Sequence, residues 1–537
     1  MTIRGLVART VGRATGDDSG ATDVGLTLLA AAIAAVLVLP LLWLAVDAVG
    51  LGDQALELAV APQTLEVLVR SVALVAIVTG ASVLVGVPLA VITVQGSIPF
   101  PRFWTVLAAL PLAVPSYLGA FAFVSAFGPQ GEFADLLAPL GIESIPSVYG
   151  FAGAAFVLTL YTYPYVFLTT RASLLSLDGS LVEAARTLNT GRWTAFRRVT
   201  LPQILPGITA GALLVALYAF ADFGTPNIMR VEVFTQFIYA RYNAFARDYA
   251  ALLSLQLLTV TAIVLALESR IGVDESGAYE SSGHRGSADL ELGRWRYVVL
   301  LLPTVIALLA IVLPIALFAT WLMGGGPGYQ GGGLTFSWEY GFNSAYVAVL
   351  AAGVSILVAL PIALTSATSD SRLAELADRA PYIGYATPGI VLAIALLSFS
   401  LDVLPAVYKT VPLLVFAYVV RFMPQAIGSI KTSTLQVDQE LVEASRTLGR
   451  SRLGTFRKVT LPLILPGVAA GAALVFLTTM KELPATLMLR PLGFETLVTY
   501  IWEIEEAGLY GRAAVPALVL VAISGLSMAV MLAQDGR

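Results

Sequence analysis

Side chains that carry bond-making chemistry are scarce in these 537 residues. There is no cysteine and a single histidine, His284. Disulfides, thiolate metal sites and cysteine nucleophiles are excluded, as is any paired-histidine zinc motif. The lysines are Lys409, Lys431, Lys458 and Lys481, and none follows a glycine. The phosphate-cradling Gly-Lys loop of an ATPase is therefore missing, and the glycine-rich run 324–333 reads as a flexible loop. What remains is a handful of polar groups in or beside apolar stretches. Arg421 lies mid-way along "AYVVRFMPQAIGS", and Tyr161 holds the equivalent place 260 residues earlier. Asp222 and Glu482 are related by the same offset. An ionised group inside a bilayer costs about 2.5–3.5 kcal/mol on insertion scales, so each needs a reason. For Arg421 the choice is between a structural partner inside a helix bundle and a part in a pathway or gate. For Asp222 and Glu482 it is between helix ends at the water interface and a pair of carboxylates that draws in a cation or docks a binding protein.

The elements that position these groups are membrane helices. Hydrophobic residues make up 58% of the chain and charged ones 12%, against about 25% charged in soluble proteins. Apolar runs of bilayer length predict helices near 25–49, 65–94, 103–126, 149–174, 203–222 and 248–268. Six more follow near 297–322, 344–367, 379–401, 409–431, 463–482 and 512–533. The first run is too long for a signal-peptide core and is expected to stay as a helix. The halves share text: "VLVLPLLWLAV" matches "AIVLPIALFAT", and the run from Arg70 matches that from Asn343. The expected fold is an all-α polytopic membrane protein of about twelve helices in two six-helix repeats, 1–268 and 297–537. A polar linker, 269–296, joins them. No basic stripe stands outside the membrane-flanking loops, so nucleic acid is not an expected partner.

The strongest duplication lies outside the membrane. Segments beginning at Leu181 and Leu441 agree at 23 of 35 positions. Each starts as a short amphipathic helix with small residues, Ala184 and Ala185 in one copy, Ala444 and Ser445 in the other. Asn189 and Gly449 follow, both types that tolerate the left-handed turn ending a helix. Pro202, Pro206, Pro462 and Pro466 suit the start of the next membrane helix and form a loop-to-helix hinge. Gly207 and Gly211, like Gly467 and Gly471, have the spacing that lets helices pack closely in lipid. Arginines in both segments place them on the cytoplasmic side, and with them both chain termini. Six helices separate the copies, so the repeats are parallel.

These segments resemble the EAA loop of ABC importer permeases, in which Glu-Ala-Ala is followed by a glycine and then by Ile-x-Leu-Pro. The second copy has Glu443, Ala444, Ser445, Gly449, Leu461 and Pro462; the first has Glu183, Ala184, Ala185, Leu201 and Pro202. Asn189 replaces the glycine, and Val199 and Val459 the isoleucine. The resemblance implies a type I importer with two permease subunits fused into one chain. Its EAA helices would dock cytoplasmic ATPase subunits, a homodimer serving both copies. An extracytoplasmic binding protein would deliver the substrate, and this chain would bind no cofactor. "MKELPATLMLRPLGFETLVTYIW" and "YVVRFMPQA" look like the ferric iron permeases of this family, although thiamine and phosphonate importers share the fused layout. The rival class is an ion-driven secondary transporter, which needs mid-membrane ionisable groups that this chain has little of beyond Arg421. A membrane-bound enzyme lacks any nucleophile–base or metal constellation here.

Overall fold

The computed structural model describes residues 18–128, 131, 133, 147–177, 191–271, 292–324, 326, 335–368 and 371–534. Among these, regular structure is helical and none of it is β-strand. The long helices of the first repeat are α1 (Asp18–Gly50), α2 (Pro62–Gln95), the pair α3 (Pro101–Ala109) and α4 (Ser116–Phe127), α5 (Phe151–Leu175) and α6 (Trp193–Ala221). Two short helices, α7 (Gly224–Ile228) and α8 (Phe234–Asn243), precede α9 (Arg247–Ile271). The second repeat runs through α10 (Trp295–Met323), α11 (Trp338–Thr368), α12 (Arg372–Ala386), α13 (Gly389–Val403) and α14 (Val411–Leu435). It continues with α15 (Gln439–Thr447), α16 (Arg452–Met480), α17 (Pro484–Leu489), α18 (Leu497–Glu506) and α19 (Ala514–Gln534). Nine of the described helices are long and apolar enough to cross a membrane, or eleven if each proline-broken pair is one span. α19, with 21 residues, stands in the place of the twelfth.

Two predicted helices are broken. The run 103–126 becomes α3 and α4, bent by 88° after a short tight turn. The run 379–401 becomes α12 and α13. Pro115 and Pro388 directly precede the second member of each pair in extended conformation, ψ 135° and 139°. Proline cannot donate the helical N–H and pushes its predecessor out of the helical region, so both stretches stop there.

The helices expected from 203 and 463 begin about ten residues earlier. Both pass through a five-residue π-turn, Phe196–Thr200 and Phe456–Thr460, closed by Leu201 N–H to Phe196 C=O and Leu461 N–H to Phe456 C=O. Pro202 and Pro462 follow at once. The wide turn accommodates the proline ring, which would otherwise meet the carbonyl four residues back. The prolines thus lie inside one continuous 29-residue helix in each repeat rather than at its start.

Two compact units interleave the sequence repeats. One gathers 1–42, 345–386 and 411–479; the other 43–344, 387–410 and 480–537. Within the larger unit, the opening helix of the second repeat packs on the first repeat. Phe121 of α4 stacks on Phe318 and meets the edge of Trp321, both on α10. The last part of α13 joins α1 and α9: Arg247 bonds Asp47 at 2.7 Å and Asp402 at 2.9 Å, and Trp43 donates to the same Asp402 oxygen at 3.0 Å. A duplicated tie holds the short helices. Ser71 accepts the free N–H of Phe234 at 2.9 Å, and Ser344 that of Leu497 at 2.8 Å, each satisfying an N–H that its helix leaves without an internal partner.

Candidate coupling helices and pathway residues

The second EAA segment forms α15. Asp438 caps it by accepting the N–H of Glu440 at 2.9 Å. At the other end Gly449 takes φ +79°, Arg450 N–H reaches back to Ser445 C=O and Gly449 N–H to Arg446 C=O. That is the Schellman termination, and it uses the glycine as its position in the sequence suggests. Glu443 and Ala444 are exposed, together with Leu441 and the 83% exposed Leu448. Ser445 is different. Its side chain is 7% exposed and lies 3.1 Å from the Thr455 hydroxyl at the root of α16. It faces inward and fixes the short helix to the long one. The first-copy residues Glu183, Ala184, Ala185 and Asn189 lie outside the described residues.

What α15 is fixed to is closely packed. A Cβ on Gly467 would lie 2.1 Å from Ser433 Oγ and 2.6 Å from Ser429 O, and one on Gly471 3.0 Å from Ala426 Cα. The first repeat copies this: a Cβ on Gly207 would run into Ser173 and Thr169, and one on Gly211 would lie 2.6 Å from Val166 Cα. All four glycines thus sit where α6 touches α5 and α16 touches α14, backbone against backbone. Thr478 adds a bond to Gln425 at 3.2 Å. In the same compact unit Lys431 pairs with Asp378 at 2.6 Å, joining α14 to α12.

Asp222 and Glu482 do not stand free at helix ends. Asp222 accepts the Thr225 N–H at 3.1 Å and hydroxyl at 2.9 Å, and the Ser116 hydroxyl at 2.5 Å. Glu482, 5% exposed, accepts the N–H groups of Ala485 at 3.0 Å and Thr486 at 3.2 Å. Each carboxylate caps the short helix that follows it, α7 or α17. The signals were present in "DFGT" and "ELPAT", where an acidic residue precedes a helix start by two positions.

Tyr161 is 3% exposed and donates to Ala310 C=O at 3.0 Å. That carbonyl sits in the π-turn Leu308–Val312, and Pro314 has no N–H to offer it. The tyrosine supplies the missing donor. Its counterpart Arg421 is half-buried in α14, its guanidinium carbon 5.7 Å from the Phe422 ring centre. Tyr161→Phe should leave the Ala310 carbonyl unsatisfied and cost about 1–2 kcal/mol. A lowered apparent Tm with transport retained is the expected result; an unchanged Tm would contradict it.

The paired, π-turned helices, the second with an exposed EAA helix before it, match a known pattern. The family model described as "Binding-protein-dependent transport system inner membrane component" matches residues 82–269 and again 359–537. The chain belongs to this family. The permease is 29% identical over 506 residues to the Fe(3+)-transport system permease protein FbpB 2 of Haemophilus influenzae, covering 93% of this chain and 96% of that one. It is 23% identical over 438 residues to the ferric transport system permease protein FbpB of Actinobacillus pleuropneumoniae, covering 78% and 64%. With the sulfate transport system permease protein CysT of Escherichia coli it shares 28% identity over 176 residues, 31% of this chain and 62% of that one. The permease is thus a multi-pass inner membrane component of a binding-protein-dependent transporter with two fused permease repeats.

Proposed function

We propose that this permease imports ferric iron by alternating access, driven by a separate ATPase homodimer gripping both EAA helices from the cytoplasm. The observation that carries the coupling half is the exposed α15, pinned through Ser445 and Thr455 to a helix that packs on its neighbour backbone to backbone. The sequence has no Gly-Lys phosphate loop, which supports hydrolysis of ATP by a partner. The arginines of both segments favour a cytoplasmic side for them and for both termini. In this reading Glu443 and Ala444, with Glu183, Ala184, Ala185 and Asn189 in the first copy, meet the ATPase, while Ser445 and Gly449 shape the helix. The prolines act at the π-turns, which transmit the motion. Tyr161 belongs to the frame, and Arg421 to the gate between the two access states.

The ferric reading draws on likeness to a Fe(3+) permease over almost the whole of both chains, whereas the sulfate relative matches only a third of this one. An extracytoplasmic ferric-binding protein would deliver the cargo. The test is uptake by proteoliposomes holding this chain, its ATPase and candidate binding proteins, given ferric iron, sulfate or molybdate. ATP-dependent iron uptake is expected. Uptake of an oxyanion but not of iron would sink the substrate, and uptake without any ATPase would sink the mechanism.

A further inference from the structure

One buried cluster in the larger unit is built of oxygen donors contributed by both repeats. Ser116 bonds Asp222 at 2.5 Å and lies 2.9 Å from the Tyr218 hydroxyl. Tyr117, the next residue at the start of α4, is 7% exposed. Its hydroxyl oxygen is sealed from solvent and has no hydrogen-bond partner. It lies within electrostatic reach of Tyr218, Glu482 and Asp222. Gly224 makes this convergence possible: a Cβ there would sit 2.6 Å from Tyr117 Cβ and 3.3 Å from Leu483 Cδ2, the residue after Glu482. Two carboxyl-bearing residues 260 positions apart in the sequence, Asp222 and Glu482, are thus brought to the neighbourhood of one unsatisfied phenol through Ser116, Gly224 and Leu483.

A buried hydroxyl without a partner is costly and rare. If Tyr117 served packing alone, phenylalanine would serve better. We propose that Tyr117, Asp222 and Glu482 form a transit site for a hard trivalent cation, an inference that rests on the ferric reading above. Two carboxylates and a phenolate carry three negative charges, which neutralise a ferric ion where an unpaired charge would be prohibitive. All three offer the oxygen ligands that a hard cation prefers. On binding, an iron–oxygen bond forms to the phenol and its proton leaves to water. To hold the ion, Asp222 must exchange part of its hydrogen bonds from Ser116 and Thr225, and Glu482 part of those from Ala485 and Thr486, for metal contacts. The capping N–H and hydroxyl groups compete with the metal for the carboxylate charge, which keeps the site weak enough for the ion to leave.

The test uses the full chain in detergent titrated with ferric citrate, and the proteoliposome assay. A visible phenolate-to-iron charge-transfer band is expected, with one proton released per iron. Tyr117→Phe should lose the band and lower iron uptake about tenfold or more, while folding as stably as the parent because no hydrogen bond is lost. Asp222→Asn should weaken iron binding as well. A Tyr117→Phe chain that transports iron like the parent overturns the site and leaves the ferric reading standing. A parent chain that takes up another solute and no iron overturns both.

Discussion

Replacing Glu183 and Glu443 together with tryptophan should abolish ATP-driven uptake and strip the ATPase from the complex, while the chain still inserts. Both positions belong to the duplicated segment, and Glu443 stands exposed on α15 beside Ala444. A bulky ring there fills the space that a partner's cleft must occupy. A central interface residue contributes about 2 kcal/mol or more. Two such losses, about 4 kcal/mol together, lower the affinity by roughly 700-fold or more, since 1.4 kcal/mol is a factor of ten. Each single variant keeps one grip and should retain part of the ATPase. Co-purification of the ATPase, measured beside membrane insertion, separates lost docking from lost folding. Normal transport by the double variant would remove the coupling role of these helices.

How much of this was legible in the sequence depended on the range of the interaction. Gly449 was, because the turn ending a helix is a local matter of φ. Gly207, Gly211, Gly467 and Gly471 were, because their spacing and their repetition both reported a close helix contact. The breaks at Pro115 and Pro388 are not legible from hydropathy, although both prolines are visible. Unlike Pro40 and Pro314, they fall in repeats of dissimilar text, "AVPSYL" against "ATPGIV", and hydropathy runs on unbroken through the bend. Motif position alone makes Ser445 part of a docking face; only the fold brings Thr455 against it. Tyr161 was out of reach for the same reason. Its partner is the carbonyl that Pro314 leaves without a donor, 149 residues away, and no local pattern announces it. Tyr117 gave no signal in the sequence at all, being one aromatic among many in apolar helices.

Coupling also needs a stiff link between the docking helix and the membrane, and Gly467→Leu should break that link without touching the dock. Gly467 is 12 residues beyond Thr455 on the same helix, about 18 Å along it at 1.5 Å per residue. The ATPase should therefore still bind. At Gly467 the leucine's Cβ meets two obstacles. Ser433 Oγ, at 2.1 Å, can rotate away; the Ser429 carbonyl, at 2.6 Å, is backbone and cannot. α16 and α14 must then separate along their length. Such overpacking costs about 1–3 kcal/mol in a well-packed interior, and here it also gives up neighbouring contacts at Gly471. The expected outcome is a complex that assembles but no longer couples, with uptake lost while some ATP hydrolysis persists. Alanine, valine and leucine at this position should form a graded series. Gly428 on α14 is the control, since a Cβ there meets nothing within 4 Å. Gly428→Ala should be neutral or stabilise the helix by up to about 1 kcal/mol. If Gly467→Leu and Gly428→Ala behaved alike in stability and uptake, the glycine contact would be packing without consequence, and the force from the ATPase would have to enter the membrane by another helix.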